Sequence, residues 1–174
     1  MRLLEVLRDS SIETHLVMSG AARRVMELEH CARPEDVEAL ADVSYGQGEI
    51  DAPISSGSFL TMGMVIAPCS IKTLSAVAHC RSDTLLARAA DVVLKERRKL
   101  VLVVRETPLH LGHLRLMTSV TEYGAVVLPP VPGFYHEPAT IGDIIDHTVG
   151  RVLDQFAIDP GLFKRWQGTY AGQG

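Results

Sequence analysis

The strongest constraint on the fold is an uninterrupted apolar run, Leu100-Val101-Leu102-Val103-Val104. A strand with one face in water alternates apolar and polar residues, whereas a continuous apolar run is typical of a strand covered on both faces. Such strands occur in parallel sheets that carry helices on either side. The remainder of the chain must therefore supply helices that cover this strand.

Strand and helix patterns alternate on both sides of this run. Further strands are predicted at 14–18, 64–67 and 125–128, and helices at 2–8, 20–29, 34–41, 70–79, 83–98, 110–122 and 141–156. Residues 43–62 have an irregular pattern. This alternation predicts an α/β fold, a doubly wound parallel sheet in three α/β/α layers. We predict one domain over 1–174, with 157–174 as a loosely structured C-terminal tail.

Composition excludes several classes of function. The formal net charge of −4 does not favour nucleic acid or an anionic membrane as a partner, and no apolar run approaches the roughly 20 residues that span a bilayer. Cys31, Cys69 and Cys80 are odd in number and form no CxxC motif, which favours a reducing cytoplasm over a disulfide framework. His110 and His113 have metal-ligand spacing without a third ligand nearby, so we expect no metal.

Polar residues follow the predicted strands at their carboxyl ends. They are Ser19, Ser70 to Thr73, Arg105-Glu106 and the segment 132–135. Open α/β sheets bind ligands at this edge. The hydroxyls of Ser70 and Thr73, with the free backbone N–H groups of a helix start, suit a phosphate. The sequence therefore predicts one anion-binding site built from several strand ends.

Further charged residues carry both a functional and a structural interpretation. Arg105 can neutralise a phosphate and Glu106 can act as an acid or base, or the two can simply close the strand end as an ion pair. Arg88 and Lys95 lie seven residues apart, on one helix face, and either bind a phosphate or form ordinary surface charge. Tyr135 and Arg151 would pair on a phosphate only if the fold brings them together.

Taken together, these segments resemble the UbiX-type flavin prenyltransferases. The likeness is closest to the B subunits associated with phenolic-acid decarboxylases. The matching stretches are 15–19, 55–58, 68–74, 88–96, 104–106, 132–136 and 165–166. The resemblance implies a flavodoxin-like fold, often assembled as a dodecamer, and metal-free transfer of the dimethylallyl group of dimethylallyl phosphate to reduced FMN. Prenylated FMN would then serve a partner decarboxylase of vanillate- or hydroxybenzoate-type acids.

The resemblance also implies residue roles, which we carry over motif by motif. FMN would be held by Ser19, Ser70, Ile71, Lys72, Thr73 and Arg105. Dimethylallyl phosphate would be held by Tyr135, Arg151 and Lys95, with Arg88 nearby. Lys95 would neutralise the leaving phosphate, and Glu29 and Glu106 would handle protons. Trp166 would border the site.

Three features depart from the family's pattern. Members usually begin with an apolar strand and a Gly-rich loop before the helix that starts here at residues 1–4, so we expect a longer natural product with that strand and loop. Gly20 stands where many members have Lys. The stretch 113–116, His-Leu-Arg-Leu, replaces the common His-Leu-Glu-Asn and would alter oligomer contacts or a lid.

Three alternatives remain open at this level. A flavin-dependent cysteine decarboxylase shares the fold, but it relies on a catalytic His and an Asn-containing substrate motif that this sequence lacks. The chain would instead be a catalytically inactive FMN-binding subunit of the decarboxylase if the absent loop is essential. A third alternative is that this chain itself decarboxylates the phenolic acid.

Overall fold

The computed structural model describes residues 1–29, 32–166 and 168. Its helices are α1 (Arg2–Arg8), α2 (Gly20–Glu29), α3 (Pro34–Glu38), α4 (Ile71–Ala78), α5 (Leu85–Lys95), α6 (Leu111–Glu122) and α7 (Ile141–Asp154). Its strands are β1 (His15–Val17), β2 (Val43–Tyr45), β3 (Gly63–Cys69), β4 (Lys99–Val104) and β5 (Val126–Val127), with a 3₁₀ turn at Pro53–Ser55. In these ranges no helix has the length and apolar character needed to cross a membrane.

All the observed strand pairs are parallel, as predicted. In the described part of the chain, β1 and β2 form one sheet, and β3, β4 and β5 form a second in the order β3-β4-β5. The prediction that 43–62 is irregular was wrong for β2. The β2 sequence, Val-Ser-Tyr, is too short for a pattern, and it becomes a strand because it pairs with β1 along its whole length.

Strand β4 forms the centre of the core, and its two faces are covered by different helices. Leu100, Leu102 and Val104 pack with buried residues of α4, α5 and α6. Val101 and Val103 point to the opposite face and pack against Val152 of α7 and Leu3 of α1. All five side chains are buried. The alternation follows from the two-residue period of a strand, so the prediction of a strand covered on both faces is confirmed.

The loop at 55–59, at the end of the 3₁₀ turn, contacts both sheets. Arg98 donates from its guanidinium to the carbonyl oxygens of Gly57 and Phe59, both at 2.7 Å. The Phe59 ring packs edge-on against His15 of β1, with 5.1 Å between ring centroids. Because Arg98 follows α5 and His15 belongs to the smaller sheet, this loop connects the α5 side of the larger sheet to β1.

The first prediction concerns the core strand. Replacing Leu102 with Ala should lower the free energy of unfolding by about 2–5 kcal/mol, because the cavity forms where both faces of β4 are packed. The matched control is Leu60→Ala, at a side chain that is 84% exposed, where the change should stay within about 0.5 kcal/mol. Urea unfolding curves measure both, and equal losses would contradict the central position of β4.

Candidate functional site

The predicted turn after β3 is present and starts α4. Ser70 is the N-cap, and its hydroxyl oxygen accepts the Thr73 N–H at 3.3 Å and lies 3.2 Å from Thr73 Oγ1. Ile71 and Lys72 are the first two residues of the helix, so their backbone N–H groups precede the intrahelical bonding pattern. The turn therefore offers hydroxyls and backbone donors at one point, a set that suits a phosphate.

Arg105 lies beside this turn because of a backbone hydrogen bond. Its N–H donates to the carbonyl oxygen of Cys69 at 3.2 Å, which continues the pairing of β3 and β4 past the end of β4. The Arg105 guanidinium forms an ion pair with Glu29 at 3.8 Å, and each of these side chains is more than half exposed. The fold thus brings Ser70, Arg105 and Glu29 to the same edge of the sheet, although Glu29 lies far from them in sequence.

Two further predicted site residues, Ser19 and Glu106, directly follow β1 and β4. Ser19 caps α2, and its hydroxyl oxygen accepts the Ala22 N–H at 3.1 Å. Glu29 ends that helix, so Ser19 and the Arg105–Glu29 pair are separated by a ten-residue helix, about 15 Å long. The Glu106 carboxylate accepts the N–H of Thr107 at 3.1 Å and is exposed.

Arg88 and Lys95 both face the loop at 55–59. Arg88 Nε donates to the Ser55 carbonyl oxygen at 3.2 Å. Lys95 pairs with Glu96, and a Cβ on Gly57 would come within 2.8 Å of Lys95 Nζ. The predicted shared helix face is thus observed, and it is turned towards the serine-rich loop.

Sequence reasoning missed Arg98, which it placed at the end of the predicted helix 83–98. In the structure Arg98 anchors the 55–59 loop through two carbonyl oxygens. The sequence gives little indication of this role. Five charged residues follow one another at 95–99, and the pattern does not show which of them contacts another segment. Only the path of the loop, about forty residues earlier, identifies the partner.

Tyr135 and Arg151 belong to one group, joined by a residue that the sequence did not single out. Tyr135 Oη lies 2.9 Å from Nε2 of His147, and Arg151 follows His147 by four residues, one turn further along α7. Arg151 donates to the carboxylate of Asp154 at 2.8 Å. The helical spacing of His147 and Arg151 was the available signal, but the contact with Tyr135 depends on the loop before α7.

A pocket of about 200 Å³ opens beside this group. It is lined by Leu128, Pro129, Pro130, Val131, His147, Thr148 and Arg151. The lining combines a cation with an apolar loop that follows β5. Such a combination suits a small ligand with one anionic and one hydrocarbon end.

The segment after α7 makes specific contacts despite its loose pattern. Arg165 donates to Asp154 at 2.6 Å and to Asp159 at 3.1 Å, and these carboxylates raise the pKa of Arg165 above its ordinary value. The Trp166 ring packs edge-on against Tyr135, with 6.1 Å between centroids. Residues 167 and 169–174 of the predicted tail lie outside the described ranges.

Comparison with known proteins decides the family. A family profile described as Flavoprotein matches residues 1–153. Flavin prenyltransferase UbiX of Escherichia coli K12 is 64% identical over 172 residues, covering 97% of this chain and 91% of that protein. The chain belongs to the UbiX-type flavin prenyltransferase family. The resemblance drawn from the sequence is therefore confirmed.

Two solved structures confirm the fold class. The crystal structure of AnUbiX (PadA1) in complex with FMN and dimethylallyl pyrophosphate is 51% identical, with a TM-score of 0.92, and the match covers 96% of this chain and 89% of that one. A dodecameric FMN-dependent UbiX-like decarboxylase from Escherichia coli O157:H7 is 50% identical, with a TM-score of 0.93, over 96% and 91% of the two chains. Both share the α/β arrangement with this UbiX-type chain.

The second prediction concerns the thiols of this UbiX-type chain. Burial raises the pKa of the Cys69 thiol to about 12, so at pH 8 it stays protonated and unreactive, whereas Cys80 is exposed. We expect iodoacetamide at pH 8 to alkylate Cys80 in the native protein and to leave Cys69 unmodified, as read by peptide mass spectrometry. Unfolded protein is the control, in which both should react. Equal native rates would contradict the buried position of Cys69.

Proposed function

We propose that this chain is a flavin prenyltransferase that joins the dimethylallyl group of dimethylallyl phosphate to reduced FMN. The observation that carries the proposal is the strand-end group, in which Arg105 and Glu29 lie beside the phosphate-suited start of α4. A UbiX-type relative of 51% identity binds FMN together with dimethylallyl pyrophosphate. Both ligands carry phosphate groups. This chain has two groups of residues suited to anions, one at Ser70 to Thr73 with Arg105 and one at Tyr135 with Arg151.

The residues that follow β3 and β4 suit the phosphate of FMN. The Ser70 and Thr73 hydroxyls and the backbone N–H groups of Ile71 and Lys72 are donors for the phosphate. Arg105 supplies a positive charge next to them. Ser19, one helix length of about 15 Å from Glu29, stays a predicted FMN ligand. When bound, reduced FMN supplies the ring that accepts the prenyl group.

The second group of residues would hold the allylic phosphate. Arg151 gives the pocket a fixed positive charge, and the exposed Tyr135 adds a hydroxyl donor beside it. Breaking the carbon–oxygen bond of dimethylallyl phosphate places negative charge on the leaving phosphate, which cations stabilise. Lys95 and Arg88 stay predicted ligands of this phosphate. Within one chain they lie on α5, which covers the opposite face of β4 from α7, so they would add their charge only where the α5 of another subunit meets this pocket.

Proton transfer is assigned to Glu106, which follows β4, and to Glu29, the last residue of α2. Glu106 is exposed and accepts from a neighbouring backbone N–H, and Glu29 is oriented by Arg105. Both carboxylates lie next to Arg105, a predicted FMN ligand, where they would act as general acid or base.

The wider role follows from the product. Prenylated FMN would be passed to a partner decarboxylase that acts on phenolic acids of the vanillate or hydroxybenzoate type. The dodecameric relative supports a homo-oligomeric assembly for this chain. The odd number of cysteines supports a location in the reducing cytoplasm.

The third prediction tests the activity directly. Incubation of the protein with reduced FMN and dimethylallyl phosphate under anaerobic conditions should give a flavin heavier by one prenyl group, measured by mass spectrometry of the released flavin. Oxidised FMN is the control and should keep its mass. Flavin that binds but is never prenylated, with a partner decarboxylase still requiring this chain, would instead support the inactive FMN-binding subunit.

The fourth prediction tests the phosphate pocket. Arg151→Met should raise KM for dimethylallyl phosphate by about 10-fold or more, because a charged hydrogen bond to phosphate contributes about 1.5–3 kcal/mol. The matched control, Arg81→Met, removes an exposed arginine that pairs with Asp83 and should leave KM unchanged. Initial rates at several substrate concentrations measure both. Identical KM values for the two variants would remove Arg151 from the site.

A further inference from the structure

The residue that links Tyr135 to α7, His147, is enclosed by aromatic side chains. Its side chain is 8% exposed. The His136 ring stacks on it with 4.5 Å between centroids and an interplanar angle of 11°, and the Phe163 ring meets it edge-on at 4.7 Å. Packing on both sides fixes the plane of the imidazole, and the contact with Tyr135 Oη identifies Nε2 as the nitrogen that faces the phenol.

Two glycines make room for this arrangement. A Cβ on Gly133 would lie 3.0 Å from Tyr135 Cε1 and 3.9 Å from His147 Cε1. A Cβ on Gly150, one turn along α7, would overlap the Phe163 ring. The absence of these two side chains therefore lets Tyr135 and Phe163 approach closely enough to fix the imidazole.

The direction of the hydrogen bond between Tyr135 and His147 decides what the phenol can do. If Tyr135 donated to His147, its only proton would be used and the oxygen would turn lone pairs towards an incoming anion. If Nε2–H of His147 donates instead, the phenol O–H remains free to donate to a phosphate. An anion-binding site needs the second arrangement.

We propose that His147 is a positioning residue for Tyr135: it is held as the Nε2–H tautomer, donates to Tyr135 Oη, and thereby turns the phenol O–H towards the phosphate of the allylic ester. The inference rests on the proposed function, since it refines how that ester is bound. It assigns a role to a side chain that lines the same pocket as Arg151.

The charges around His147 support a neutral ring that acts through its tautomer. Burial lowers the pKa of His147 below its ordinary value, and the neighbouring His136 and Arg151 lower it further, while Asp154 raises it. The titratable side chain of Tyr135 also contacts the ring. At neutral pH the imidazole is therefore uncharged and offers one N–H.

The test compares two substitutions of the same residue. His147→Leu should raise KM for dimethylallyl phosphate about fivefold, the size expected for one neutral hydrogen bond, with little change in kcat. His147→Gln, whose amide can donate to Oη, should restore most of the lost affinity. The matched control His79→Leu, at an exposed histidine after α4, should have no effect. Leu and Gln variants with the same KM as the wild type would overturn the proposal.

A double variant separates positioning from a general packing effect. If His147 acts through the phenol, Tyr135→Phe with His147→Leu should bind dimethylallyl phosphate no worse than Tyr135→Phe alone. Additive losses of affinity would overturn the assignment.

A measurement on the wild-type protein keeps the test independent of folding and of turnover. Nitrogen NMR of the ¹⁵N-labelled imidazoles should show His147 protonated at Nε2 and unprotonated at Nδ1, and the Nδ1–H tautomer would overturn the proposal. Phosphorus NMR titration with dimethylallyl phosphate gives binding without catalysis. A protein that binds the ester with the expected tautomer but never prenylates FMN would refute the proposed function and leave this inference standing.

Discussion

The hydrogen bond from the Arg105 N–H to the Cys69 carbonyl oxygen extends the pairing of β3 and β4 beyond the last residue of β4. Both strands end at this point, one in the N-cap of α4 and the other in a charged residue. Because β4 is buried on both faces, its path through the core is fixed, and so is the position at which it emerges. The buried path of β4 therefore fixes the positions of the residues proposed to bind FMN.

The loop at 55–59 shows how the rest of the fold depends on a few directional contacts. Arg88 and Arg98 hold its carbonyl oxygens from α5, and Phe59 packs on His15 of the smaller sheet. In the described residues, strand pairing joins β1 only to β2. Side-chain contacts such as these therefore position the smaller sheet, and α2 with its Glu29, relative to the larger one.

The residues around α7 are held mainly by aromatic packing and by carboxylates that pair with more than one arginine. Asp154 accepts from both Arg151 and Arg165, so one carboxylate orients a pocket cation and holds the following segment in place. His147 links Tyr135 to the same helix face. A loosely patterned tail thereby contributes Phe163 and Trp166 to the surroundings of the pocket.

The sequence by itself determined the parallel α/β fold, the burial of Leu100 to Val104, the polar turn at Ser70 to Thr73 and the family, because local periodicity or a continuous motif indicates each of them. The short strand β2 was not predictable, since three residues carry no period and its pairing partner lies about thirty residues earlier. The anchoring role of Arg98 and the contact between Tyr135 and His147 were also decided only by the tertiary structure. Residue type states which groups can donate or accept, but the partner is selected by the path of the chain, which brings distant segments to the same edge of the core.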